Sequence, residues 1–210
     1  MKQITVIGAS AGVGLLTVQQ ALKNGNKVVA LSRHIDTLPD QPNLISLQGS
    51  STSLADVKKA VAGSDVIIVT IGTGSSTKAT TLYTESARVL LQALAELNVQ
   101  PPLLVVTGFG AGDSAHYQSF LMSLVMRFLL KAVYADKTAM EELITSRYPN
   151  WVIVRPGRLI DDAFTGLYRV ETRLVKGMQI GKISRADVAH FLVKRAELFP
   201  ITNQYISLSS

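Results

Sequence analysis

Cysteine is absent from the 210 residues. That excludes a disulfide scaffold, a thiol nucleophile, an iron–sulfur cluster and any cysteine-ligated zinc, and it fits a reducing compartment. Histidine is nearly absent too. His34, His116 and His190 stand far apart, with neither H-x-x-x-H nor H-E-x-x-H spacing, so no metal site is expected. Aromatics make up 6% and charged residues 17%. Lys and Arg outnumber Asp and Glu by 21 to 15, for a net charge of +6 and a pI of about 9.6. The basic residues are dispersed, with few aromatics among them and no RNP-type or zinc-finger pattern. Nucleic acid is therefore not an expected partner. The surplus reads as solvated surface with some attraction for an anionic cofactor or substrate.

Long apolar runs are also missing. None reaches the ~18–20 residues of a membrane span, and the nearest, Phe120 to Tyr134, contains Arg127 and Lys131. Met1-Lys2-Gln3 before an apolar run superficially resembles a signal peptide, but Gly8, Gly12 and Gly14 interrupt that run. A cytoplasmic protein without a membrane span is expected.

What is present is a chain that folds. It is 47% hydrophobic, with a mean hydropathy of +0.26. Short apolar runs alternate with helix-period segments throughout. Strands are expected at Ile4–Ile7, Lys27–Leu31, Leu44–Leu47, Asp65–Thr70, Leu103–Thr107 and Trp151–Arg155, with an edge strand at Gln204–Leu208. Helices are expected at Gly12–Lys23, from about Ser53 to Val61, around Tyr83–Leu97 and after Asp187. Strands apolar on both faces and separated by helices imply a parallel sheet covered on both sides. The right-handed crossover rule then favours a doubly wound parallel sheet, a Rossmann fold, as one domain over residues 1–210.

The first strand turns into the first helix at Gly8-Ala9-Ser10-Ala11-Gly12-Val13-Gly14. Glycines there let backbone amides approach a diphosphate at a helix N-terminus. The same residues match the G-x-S-x-G elbow of serine hydrolases. That elbow needs earlier strands and an oxyanion loop, and only seven residues precede Gly8. No Lys-Ser or Lys-Thr follows the glycines, which excludes a Walker P-loop. The second strand ends Leu31-Ser32-Arg33-His34, and Arg33 stands 33 − 14 = 19 residues after Gly14. NAD-selective folds carry an acidic residue here for the ribose 2′-hydroxyl. An arginine instead suits a 2′-phosphate, so NADP(H) is the expected cofactor.

These residues, together with Ala62-Gly63-Ser64-Asp65, Ile71-Gly72-Thr73-Gly74, Val105-Val106-Thr107-Gly108, Lys137-Thr138-Ala139-Met140-Glu141, Val154-Arg155-Pro156-Gly157 and Ser184-Arg185-Ala186-Asp187-Val188-Ala189, carry a resemblance. The chain resembles atypical short-chain dehydrogenases/reductases of the NAD(P)H-binding type, which include biliverdin reductase B/flavin reductase-like and NmrA-like proteins. The resemblance implies that Gly8, Ser10, Ala11, Gly12 and Val13 hold the diphosphate and Arg33 the 2′-phosphate. It also implies that Gly72 and Thr73 lie along the cofactor and that the segment of Arg155, Pro156 and Gly157 lies near the nicotinamide. The chain departs from its relatives in three places. Ala11 stands for the usual second glycine, Ser50 for the acidic residue near the adenine, and Gly108 where many relatives carry serine.

The larger departure concerns chemistry. Standard short-chain dehydrogenases, as distinct from the atypical group, use Tyr-x-x-x-Lys, in which the lysine lowers the tyrosine pKa and the tyrosine exchanges a proton with substrate. No tyrosine here has a lysine four residues later; Tyr134 and Lys137 are three apart. Three residues keep both on one helix side. A helix break near Asp136, with Asp136 as N-cap, instead puts Tyr134 outside the helix as a packed aromatic. Lys137 is expected near the cofactor ribose, or else as an exposed partner of Glu141. Thr107 is either a hydrogen-bonder to substrate or an ordinary strand-end residue. Ser184-Arg185-Ala186-Asp187 reads as a structural helix start.

The expected function is an NADP(H)-dependent oxidoreductase acting on a small organic acceptor. The alternative is a non-catalytic NADP(H)-binding sensor of the NmrA-like kind. Segments 109–135 and 158–183 are expected to wall the substrate pocket. Within the first, Tyr117 to Tyr134 has more apolar residues than one helical stripe needs, Met122 and Met126 among them. It is expected to border either that pocket or a homodimer contact.

Overall fold

The computed structural model describes all residues except 75, 118–123, 125, 176–177 and 199–201. Strand β1 (Gln3–Ile7) leads into helix α1 (Gly12–Lys23), and strands β2 (Lys27–Ser32) and β3 (Leu44–Gln48) then follow one another before helix α2 (Leu54–Val61). Then come β4 (Val66–Val69), α3 (Leu82–Leu97), β5 (Leu103–Val106), α4 (Lys131–Arg147) and β6 (Trp151–Pro156). The last part holds β7 (Arg158–Ile160), β8 (Arg169–Glu171), β9 (Lys182–Ser184), α5 (Arg185–Glu197) and β10 (Gln204–Ser209). A 3-10 turn, Gly112–Tyr117, and a π-helical turn, Met126–Leu130, lie between β5 and α4.

Eight strands form one sheet in the order β3-β2-β1-β4-β5-β6-β10-β8, and β7 pairs with β9 apart from it. All neighbours from β3 to β10 run parallel, and β8 joins β10 antiparallel. This is the doubly wound sheet expected from the alternation of apolar strands and helices. The expected edge strand at Gln204–Leu208 lies inside the sheet instead, because β8 covers its outer side. The three residues Arg-Val-Glu of β8 are too short and too polar to announce a strand.

Two-residue periodicity divides the strand side chains between two cores. Ile4, Val6, Val28, Ile68, Leu104, Val152 and Ile206 pack under α1 and α5 against Val18, Ala21, Val188 and Leu192. Ile7, Val29, Ile67, Val105 and Ile153 pack under α2, α3 and α4 against Val57, Leu90, Leu94, Met140 and Ile144. Each fully buried aliphatic side chain contributes roughly 1.5–3 kcal/mol, which is why β4, Val-Ile-Ile-Val, can be buried on both faces at the sheet centre. Successive strands run outward from β1 to β3 in one direction and from β4 to β6 in the other. The reversal between β1 and β4 opens a crevice beyond the carboxyl ends of these strands.

Of the two readings of residues 134–137, the continuous helix is the one observed. Tyr134, Asp136 and Lys137 all lie inside α4, with no break at Asp136. Asp136 does cap a helix, but a different one: its carboxylate accepts from the amides of Tyr83 and Thr84 at the start of α3. Phe120, Leu121, Met122 and Val125, and the side chain of Met126, lie outside the described residues. Among the described residues, no helix is long and apolar enough to cross a membrane.

Candidate nucleotide cleft

The crevice is a cleft of about 970 Å³. Gly8, Ser10, Ala11, Gly12, Val13, Arg33, Gly72, Thr73, Thr107, Tyr134 and Lys137 all line it. Pro156 does not: it is buried in β6, where its carbonyl accepts from the Phe109 amide at 2.9 Å. From that region Leu159 and Asp161 reach the cleft instead.

At one end the chain turns from β1 into α1. Gly8 has φ +91°, and a Cβ there would stand 2.9 Å from the Thr70 carbonyl group. A Cβ on Gly14 would stand 2.0 Å from the Gly8 carbonyl oxygen, so the helix packs on the turn only through a glycine. Ser32 donates its hydroxyl to Ser10 Oγ, and Thr37 donates to the Ser10 carbonyl, both at 2.6 Å. The turn is thereby held from the β2 side. Ala11, at the N-cap of α1, contributes no side-chain bond, and the first turn holds no acidic residue. The first amides of α1 have no side-chain acceptor, and the partial positive charge of the helix end faces the cleft. Arg33 is exposed on the same rim.

At the other end Lys137 donates from Nζ to the Thr107 carbonyl at 2.6 Å. Its ammonium lies 4.8 Å from the Tyr134 ring centre and 5.3 Å from that of Tyr83. Burial among these groups lowers the Lys137 pKa to about 8. Burial pushes the Tyr134 phenol up to about 12, and the neighbouring Tyr83 adds to the rise. The lysine-lowered tyrosine of a standard Tyr-x-x-x-Lys pair is therefore not reproduced. Gly108 has a steric reason to lack a side chain, since a Cβ there would stand 2.9 Å from Tyr134 Oη. The phenol fills the space a serine would occupy.

Thr107 donates its hydroxyl proton to Glu141 Oε1 at 2.6 Å, so that proton is already committed. Glu141 is not paired with Lys137. It binds Arg155 through two contacts, Nε to Oε1 at 3.1 Å and Nη2 to Oε2 at 2.5 Å, and both residues are 1% exposed. The remaining nitrogen, Nη1, reaches Asp113 at 2.6 Å, and the guanidinium lies 4.0 Å from the Tyr205 ring centre. Arg155 thus anchors the floor behind the cleft and does not line it.

A model of the NAD(P)H-binding family matches residues 8–197. The chain belongs to the NAD(P)H-binding family. Among solved structures it is similar to ChuY from E. coli CFT073, with 26% identity and a TM-score of 0.78 over 100% of this chain and 97% of that one. ChuY from E. coli O157:H7, described as an anaerobillin reductase, has 24% identity and a TM-score of 0.78 over 99% of this chain and 96% of that one. A short-chain dehydrogenase/reductase from Veillonella parvula, solved in complex with NADP, has 14% identity and a TM-score of 0.84 over 100% of this chain and 94% of that one. Membership makes a nicotinamide dinucleotide the chain's class of ligand.

Leu130, Leu159 and Asp161, from the two segments expected to wall the substrate pocket, border the cleft. The sequence reading missed His34, Ser51, Thr52 and Arg185, which border it too. Arg185 was legible only as part of a helix start, and Ser184 does cap α5 by accepting from the Asp187 amide at 2.9 Å. Nothing local in the sequence signals that the next side chain crosses to the glycine turn. Among the described residues, no three His, Asp or Glu side chains cluster as a metal site would.

Proposed function

We propose that the chain is an NADP(H)-dependent oxidoreductase acting on a small organic acceptor. The observation that carries this reading is the content of a single cleft. An unblocked helix N-terminus and Arg33 lie toward one end, and Lys137 and Tyr134 toward the other. The donor set fits a dinucleotide phosphate. The α1 amides suit a diphosphate, and the Arg33 fork suits a 2′-phosphate where a carboxylate would repel it. The bound nicotinamide supplies a hydride; this chain supplies position and a proton.

Lys137 is the better-placed acid. With a pKa of about 8 it is protonated at neutral pH and releases a proton more readily than an ordinary lysine. Tyr134, at about 12, stays a neutral hydroxyl that orients by hydrogen bonding. Val106, Leu130, Val133 and Leu159 make the walls beside these groups apolar, which supports an acceptor with a flat, weakly polar body.

The test is aerobic NADPH oxidation with flavins, quinones, aldehydes and, given the description of one ChuY protein, anaerobillin. Turnover of at least one acceptor, faster with NADPH than NADH, is the expected result. Tight NADPH binding with no turnover of any acceptor would move the chain to the second reading, a non-catalytic NADP(H) sensor. The committed Thr107 proton favours that reading.

A further inference from the structure

Arg185 is the first residue of α5, yet its side chain lies over the start of α1. Its Cδ and Nε are each 3.6 Å from the point where a Cβ on Gly12 would stand. Its Nη1 donates to Asp161 Oδ1 at 2.7 Å, and both residues line the cleft. The two differ in surroundings. The Arg185 side chain is 28% exposed, whereas that of Asp161 is 87% exposed. The arginine is also held from behind. Asp187 bonds the Ser184 hydroxyl and the amides of Thr165 and Gly166, which fixes the start of α5. A positioned cation therefore stands beside a helix N-terminus without a carboxylate in its first turn, and its present partner is a carboxylate almost wholly in water.

We propose that Arg185 is a second cationic ligand of the dinucleotide, gripping its diphosphate, and that Asp161 is a placeholder that gives way when the cofactor arrives. A guanidinium offers a planar fork that matches phosphate oxygens, and a diphosphate carries more charge than one carboxylate. An exposed ion pair is worth little, so exchanging it is easy. Arg185 also acts on a part of the cofactor that NADPH and NADH share, unlike Arg33. The inference rests on the family's dinucleotide cleft and not on the preference for NADP(H). If the parent protein binds NADPH and NADH equally, that preference fails and the role of Arg185 stands.

Calorimetric titration of NADPH and NADH into the parent, Arg185→Ala, Arg185→Lys and Asp161→Asn proteins tests it. Arg185→Ala should weaken both dinucleotides by ~10-fold without changing their ratio, and Arg185→Lys should recover part of the loss. Asp161→Asn should tighten both by roughly 2–3-fold, because it removes a competitor for the guanidinium and a repulsive charge. Opposite signs for the two positions are the signature. A purely structural Arg185–Asp161 tie predicts a loss from either side, and that result overturns the proposal. So does unchanged affinity in folded Arg185→Ala. Should Arg185→Ala fail to fold, Asp161→Asn decides alone: tighter binding supports the placeholder, and unchanged or weaker binding rejects it.

Discussion

Asp136 of α4 caps α3: its Oδ2 accepts from the Tyr83 amide at 2.9 Å, and its Oδ1 accepts from the Thr84 amide at 3.1 Å. The residue at the N-cap of α3, Thr81, makes no side-chain capping bond of its own. One carboxylate thus completes a helix end and fixes the register between two helices. That register brings Tyr83 against Lys137, one residue after Asp136.

Replacing Asp136 with Ala should lower stability by about 1–3 kcal/mol, the cost of a lost cap with donors left buried. Asp136→Asn keeps one acceptor and should lose less. Denaturant midpoints measure both. Equal stability of Asp136→Ala and the parent would show that water satisfies the α3 amides as well as the carboxylate does.

Glu141 and Arg155 call for a paired experiment. Without Glu141 the buried Arg155 guanidinium keeps only the largely exposed Asp113 as counter-charge, which costs on the order of 3–5 kcal/mol. Glu141→Gln should therefore be severely destabilising. Arg155→Met combined with Glu141→Leu should recover most of the stability, since apolar residues pay no desolvation penalty. A double variant as unstable as the single would mean that the Thr107, Asp113 and Tyr205 contacts matter more than the buried charges.

The pH dependence follows from Lys137. Its ordinary pKa of 10.5 falls to about 8 in the fold, through burial. Between these values the unfolded chain binds more protons than the folded one, so this group makes stability rise with pH across that window. Below pH 8 the buried ammonium is a standing cost; above 10.5 both states are neutral at this site and the cost is gone. Lys137→Met abolishes the dependence. Its stability relative to the parent should fall by ~1–3 kcal/mol between pH 8 and 10.5. Tyr134 titrates near 10 in the unfolded chain and near 12 in the fold, so above pH 10 it lowers the stability of both proteins alike and cancels in their difference. A constant difference between the two proteins would show that Lys137 keeps a normal pKa.

The layers of the fold were legible because each strand carries its burial in its own residues. Val66-Ile67-Ile68-Val69 needs no partner to be read as a central strand. The glycine turn was legible for the same reason: position relative to a strand is a local property. A cap at Asp136 was one of two readings open in the sequence; it caps α3 and not its own helix, because sequence shows that a carboxylate near a helix end is useful but not which end lies nearby. The i,i+4 spacing left an exposed Glu141–Lys137 pair open as the alternative for Lys137, yet Glu141 is buried against a guanidinium from β6. Arg185 and Asp161 stand 24 residues apart, and only the fold makes them neighbours.

Arg33 should set cofactor preference. NADPH should bind ~10–100-fold more tightly than NADH, the range of a charge-assisted contact. Arg33→Glu should erase or reverse that ratio while leaving the fold intact, since the residue is exposed. Fluorescence titration of both nucleotides gives the ratio directly. Equal affinities in the parent protein would remove the basis for an NADP(H) assignment.

The last prediction concerns the approach to α4. Phe128 and Leu129 are 74% and 61% exposed, while the next residue, Leu130, lines the cleft. Two large apolar side chains exposed side by side at the edge of the cleft make a surface suited to contact with an acceptor or with a second copy of the chain. Arg127 and Lys131 flank them, too few charges for a basic membrane-binding face. Replacing both Phe128 and Leu129 with Ser should therefore raise the KM for the acceptor or shift the sedimentation profile toward monomer. NADPH affinity should stay nearly unchanged, because the α1 amides proposed for the diphosphate belong to the opposite end of the cleft. If acceptor kinetics and self-association both match the parent, these residues are ordinary surface and the segment has no role beyond entering α4.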